Sequence, residues 1–131
     1  MKHLYYSLFV LFASIFFYNC TGNKNEQRTI DFITEMYNNR DFEDSDFLEK
    51  HCSPEMLKKL QDDFEYEGGG YASWDFRSGT QDGYSDRHEV ISVEPQGDDW
   101  YKYEFYDMGI KSSHLIKVVA KDGTFKIEGL K

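Results

Sequence analysis

The chain's 131 residues carry a formal net charge of −9 and are 18% aromatic. That length bounds the folded part to one small domain, with enough Phe, Tyr and Trp for a compact core. The acidity argues against nucleic acid, whose phosphates need clustered Lys and Arg, and against adsorption to an anionic lipid surface through a basic patch.

Residues 1–20 stand apart from the rest. Lys2 is their only charged residue, and Leu4 to Tyr18 is almost wholly apolar or aromatic before Tyr18-Asn19-Cys20. A short basic start, an apolar run of about 7–15 residues and a cleavage site make a signal peptide. A membrane-spanning helix needs about 20 apolar residues, more than this run supplies. After Cys20 the chain turns polar, Thr21-Gly22-Asn23-Lys24-Asn25-Glu26. The arrangement resembles the lipobox of bacterial lipoproteins. That resemblance implies a lipidated Cys20, a tether over 21–25 and an exported domain over 26–131, anchored in the cell envelope and facing the periplasm or the cell surface. The alternative is an ordinary secretory signal with a free cysteine nearby. Without the single positive charge of residues 1–20 the mature chain has a net charge of −10, which reads as solubility. If Cys20 carries lipid, Cys52 has no intrachain partner, so neither a disulfide scaffold nor a cysteine-based metal site follows. Cys52 reads as a buried apolar thiol.

From Glu26 to Asn39 the spacing is helical: Ile30, Ile33 and Tyr37 recur at threes and fours, supported by Phe32 and Met36. Asn38-Asn39-Arg40-Asp41 breaks it. A short helix follows from Ser45 or Asp46, with Asp46 and Glu49 imitating a capping box. Ser53 caps the next helix, Pro54 takes its first position, and Glu55 favours its positive end. Leu57, Leu60 and Phe64 form its expected buried stripe, and Gly68-Gly69-Gly70 its stop.

The period then changes. Trp74–Arg77 reads as an extra strand, and Ile91 and Val93 mark another. Gly97-Asp98 reads as a hairpin connection into Tyr101, Tyr103 and Phe105, which alternate with Lys102 and Glu104. Ile110 to Ala120 is a long β-rich segment, and Asp122-Gly123 turns it into Thr124–Leu130, where Phe125 and Ile127 share a face. Helices first and strands second argue an α+β domain with N-terminal helices on one face of a curved antiparallel sheet.

This element order resembles the nuclear-transport-factor-2-like (cystatin-like) fold over most of residues 26–131. At the level of motifs, Ile30-Asp31-Phe32-Ile33-Thr34-Glu35-Met36-Tyr37, Ser53-Pro54-Glu55-Met56-Leu57, and Trp74-Asp75-Phe76-Arg77 followed by Gln81-Asp82-Gly83 resemble small uncharacterised lipoproteins of Gram-negative gut bacteria. The resemblance implies a cone with a pocket between helices and sheet. It brings no catalytic motif, and a fold hosts many functions.

The densest polar chemistry lies after the glycine run, where Trp74, Asp75, Arg77, Asp82 and His88 are the candidate binding residues for a small molecule or peptide. Trp74 offers an aromatic platform and Arg77 a fork of donors for a carboxylate or another anion, held by Asp75, with Asp82 and His88 on the rim. The plainer reading is a solvated loop in which Asp75 pairs with Arg77 across two positions of a strand. A metal site from Asp82, Asp86 and His88 matches no known loop spacing. An enzyme would use His114 or His88 as a base oriented by Asp75 or Asp86. No nucleophile triad, phosphate loop or dinucleotide glycine motif supports a reaction, and no cofactor is expected. An interaction module is the third reading: Trp100, Tyr106 and Met108 fall opposite Tyr101, Tyr103 and Phe105. A helix-free sheet face would then show them to a second copy or a protein partner.

Overall fold

The computed structural model describes residues 25–131. Cys20 and the polar residues that follow it to position 24 lie outside the described residues. Within these bounds three helices pack on one face of a four-stranded antiparallel sheet of order β1-β2-β3-β4. This is the expected α+β layout, consistent with a nuclear-transport-factor-2-like or cystatin-like arrangement.

Helix α1 covers 25–38 and buries Ile33, Met36 and Tyr37, as its spacing predicts. It stops where Arg40 takes a left-handed conformation, φ 59°. A 3-10 turn, Asp41–Glu43, then puts Phe42 in the core of what the sequence offers only as a breaker. Helix α2 is Ser45–His51. Its cap is Asp44, which accepts the Asp46 N–H at 3.0 Å. The expected Asp46–Glu49 box does not form; Asp46 sits in the first turn, where its charge favours the helix's positive end. Helix α3 is Pro54–Asp63, and Ser53 caps it through the Met56 N–H at 3.1 Å. Its fully buried residues are Met56 and Leu60, whereas Leu57 is half-buried and Phe64 lies just past the helix. The glycines at 68–70 therefore do not stop it; Phe64 has already turned extended, ψ 121°. Cys52 is buried beside Ile127, and loss of solvent pushes its thiol up to about 12, the inert state expected of it.

The strands are β1 (Glu89–Gly97), β2 (Trp100–Asp107), β3 (Ile110–Lys121) and β4 (Thr124–Leu130). Tyr101, Tyr103, Phe105 and Asp107 point into the core from β2. Each hairpin turns on two residues with positive φ: Asp98-Asp99, Met108-Gly109 and Asp122-Gly123. That is the sense of turn that matches strand twist. The first lies one residue beyond the expected Gly97-Asp98. Trp74–Arg77 is not a strand; Ser73–Phe76 is a second 3-10 turn, burying Phe76.

The outer sheet face does not present the open apolar surface expected of it. Trp100 packs over Gly129, with the Lys131 ammonium 4.4 Å from its ring centre. The Arg87 guanidinium covers Tyr106 at 3.6 Å. Between them Glu104 faces Lys102 and Lys111 at 3.6 and 3.8 Å. Met108 sits in a turn rather than on the strand.

The domain has two distinct ends. Residue 25 shares a crevice with Gly97, Asp98 and Asp99, at the end that also carries the Asp122-Gly123 turn. At the other end α1 finishes, Tyr37 Oη donates to Tyr106 O at 3.0 Å, and the Met108-Gly109 turn reverses the chain.

Candidate functional site

A cleft of about 380 Å³ opens at the Met108-Gly109 end, lined by Glu65, Tyr66, Trp74, Arg77, Gly79, Thr80, Gln81, Asp107 and Met108. Its floor is the second 3-10 turn, tied to the sheet by two hydrogen bonds. Tyr103 Oη donates to Phe76 O at 2.7 Å, and His114 Nε2 donates to Arg77 O at 2.7 Å. The turn thereby holds Phe76 down and leaves Trp74 at the surface.

Arg77 reaches inward to Asp107, whose side chain is 1% exposed. Its Nε and Nη2 donate to Oδ1 at 3.1 and 2.8 Å, while Ser78 donates to Oδ2 from its backbone N–H at 3.1 Å and its hydroxyl at 2.8 Å. Burial alone pushes the Asp107 carboxyl up. The Arg77 and Ser78 hydrogen bonds outweigh it and hold the group below the usual carboxylate range. The same contact raises Arg77 above its ordinary value. Asp107 occupies the Nε–Nη2 edge of the guanidinium. Among the described residues Nη1 has no hydrogen-bond partner, and the Arg77 side chain remains 25% exposed, lining the cleft.

The cleft's other wall is aromatic. Trp74 stacks on Phe64 at 5.5 Å, and Tyr66 stands nearly perpendicular to it, 5.8 Å away at 89°. Tyr66 is largely exposed. A loop closes the remaining side and is bolted to the hairpin: Tyr84 and Ser85 donate their N–H groups to Met108 O at 2.8 and 3.2 Å, and Gly109 N–H donates to Arg87 O at 3.0 Å. Gly83 lies so close to Met108 that a Cβ there would collide with its backbone.

Trp74 and Arg77 are therefore brought together; the other three candidates are not. Asp75 does not hold Arg77, because a 3-10 turn sends positions 75 and 77 to different sides. Its partner is Lys59 at 3.3 Å. Burial, then a hydrogen bond with Asp63, pushes the Asp75 carboxyl up to about 6. Asp82 is exposed on the loop. His88 is not on the rim: its side chain is 6% exposed and stacks on Tyr37 at 4.1 Å. Its Nε2–H donates to Tyr37 O at 2.8 Å. Its Nδ1, buried without a hydrogen-bond partner, lies 3.9 Å from Asp107 Oδ1. Burial lowers its pKa.

The same placements correct two alternatives. Asp82 and Asp86 are exposed while His88 is buried, and no group of three His, Cys, Asp or Glu side chains among the described residues is placed to hold a metal ion. His114 touches the backbone oxygens of Arg77 and Lys131 at 2.7 and 3.1 Å, and neither Asp75 nor Asp86 is among its hydrogen-bond partners.

Tyr66 and Asp107 are site residues that the sequence reading misses. Tyr66 gives no signal of its own. Asp107 does: it continues the inward phase of Tyr101, Tyr103 and Phe105, and a carboxylate in a core phase needs a buried partner.

No known protein family matches the chain, and no curated protein does. Among solved structures it is similar to a protein of unknown function from Bacteroides thetaiotaomicron, with a TM-score of 0.63 and 17% identity over 86% of this chain and 95% of that one. At that identity the likeness concerns the fold alone: both are α+β domains of this layout.

Proposed function

We propose that this chain is an envelope lipoprotein whose folded domain binds a small ligand or peptide without catalysis, in the Trp74–Arg77 cleft. The observation that carries the reading is the meeting of Trp74, Tyr66 and a charge-compensated Arg77 around one cleft. Aromatic surface with a few fixed polar groups is what small-ligand sites use. The architecture, read as nuclear-transport-factor-2-like, suits this role, because the opening lies between the sheet's end and the segment that follows the last helix. No described helix is long and apolar enough to cross a membrane, so membrane attachment in this reading rests on Cys20.

Two measurements test it. Wild-type protein should enter the detergent phase and carry lipid on Cys20, and Cys20→Ala should remain aqueous; an unmodified, fully aqueous wild type overturns the anchor. For the cleft, a screen of small solutes by thermal shift should find stabilisation that Trp74→Ala abolishes. Stabilisation that survives Trp74→Ala places the binding elsewhere.

A further inference from the structure

We infer that the cleft's ligand is a neutral pyranose sugar, as one or two rings of an oligosaccharide. The inference rests on the binding role proposed above and names the chemistry of its ligand.

Charge is the first argument. Asp107 neutralises Arg77 at 2.8 Å, Glu65 adds a carboxylate to the lining, and the domain as a whole is acidic. An anion meets net repulsion there. A cation meets Arg77 donors it cannot use, since a guanidinium offers no acceptor. A ligand without net charge avoids the repulsion and can accept from those donors.

The polar groups supply the second argument. Arg77 offers only donors, Glu65 only acceptors, and Thr80 and Gln81 both kinds. Vicinal hydroxyls donate and accept at once, so one sugar ring uses such a mixed set. A peptide backbone, with fewer and more widely spaced groups, uses less of it. The Arg77 edge is also fixed in advance: Asp107 holds the other edge in two hydrogen bonds, so little side-chain freedom is lost on binding.

The apolar wall is the third. A pyranose ring has a face of C–H groups as well as its hydroxyl rim, and an aromatic face packs against it through dispersion and weak C–H contacts. Trp74 and Tyr66, at 89° to each other, give such a face and a side wall. The volume of about 380 Å³ is at the small end for ligand pockets, which suits one or two rings rather than a long segment.

The experiment uses the full chain carrying Trp100→Phe, which leaves Trp74 as the only tryptophan of the two. Its fluorescence is titrated with methyl glucoside, methyl galactoside, methyl mannoside, N-acetylglucosamine and neutral tetrasaccharides built from them. Acetate, tetramethylammonium and trialanine are titrated in parallel. The expected result is a saturable change with at least one sugar at millimolar concentration or below, weakened about tenfold, near 1.4 kcal/mol, by Gln81→Ala and by Tyr66→Ala. Both positions are exposed, so melting temperatures should not move. A tetrasaccharide that binds more tightly than the methyl glycosides identifies a glycan chain as the source; equal affinity identifies free sugars. Saturation by acetate, tetramethylammonium or trialanine, with none by any sugar, overturns the sugar assignment and leaves the binding role standing. Trp74 emission unchanged by every probe up to tens of millimolar overturns both.

Discussion

Two carboxylates, one within the second 3-10 turn and one facing that turn from β2, meet opposite fates. Asp107, on the sheet side, is the more deeply buried, yet its carboxyl is held down. Asp75, on the α3 side, has an 18% exposed side chain, yet its carboxyl is pushed up to about 6. Burial depth does not decide between them; donors do. Asp107 accepts four hydrogen bonds, two from a guanidinium. Asp75 has one lysine at 3.3 Å, and Lys59 also serves Asp63 at 2.7 Å. The sheet side is thus a finished ion pair that ties the turn to β2, and the α3 side is one in which two carboxylates share a single lysine.

Breaking the finished pair should have the largest effect. Asp107→Ala leaves Arg77 and Ser78 without their acceptor and should cost about 3–5 kcal/mol in denaturant unfolding. A cost below about 1 kcal/mol would mean that water replaces the carboxylate and that the pair does not set the turn. Tyr103→Phe removes the bond to Phe76 O and leaves a buried carbonyl unpaired, so a loss of about 1–3 kcal/mol is expected. It should also broaden Trp74 emission if that bond holds the cleft's floor.

The smallest effect is a change with pH. Asp107, lowered in the folded state, contributes stability above its ordinary range that is lost as pH falls through its folded value. Asp75, raised to about 6, has the opposite sign: its contribution is present below its unfolded value of about 3.9 and fades as pH rises through about 6. Asp75→Asn should therefore flatten the stability curve between about pH 4 and 6 while leaving the acid limb in place. An unchanged curve in that window would show that solvent and Lys59 already satisfy the carboxylate.

The contrast also marks what the sequence can reveal. The spacing of Ile33 and Tyr37, the Ser53-Pro54 cap and the alternation through β2 are local signals, and the helices and hairpins they predict form. Phe42 and Phe76 reach the core through 3-10 turns, which have no long period to read. Arg77 finds Asp107, a partner 30 residues away in sequence, rather than Asp75 two residues away. Which carboxylate reaches it depends on the docking of the turn against β2, information that no neighbouring residue carries. His88 reads as a rim residue because its neighbours are polar, yet stacking on Tyr37 takes it inside.

The separation of the two ends governs how a ligand would meet this domain. The cleft and residue 25 lie at opposite ends of α1, whose 14 residues at about 1.5 Å each span roughly 20 Å. Glu26, Asp98, Asp99 and Asp122 gather at the residue-25 end, so in the proposed lipoprotein any anionic headgroups would repel that end. On the proposal that Cys20 carries lipid, the mouth of the cleft lies at the end of the domain away from the attachment. Solutes would then reach it by diffusion in three dimensions rather than along the membrane.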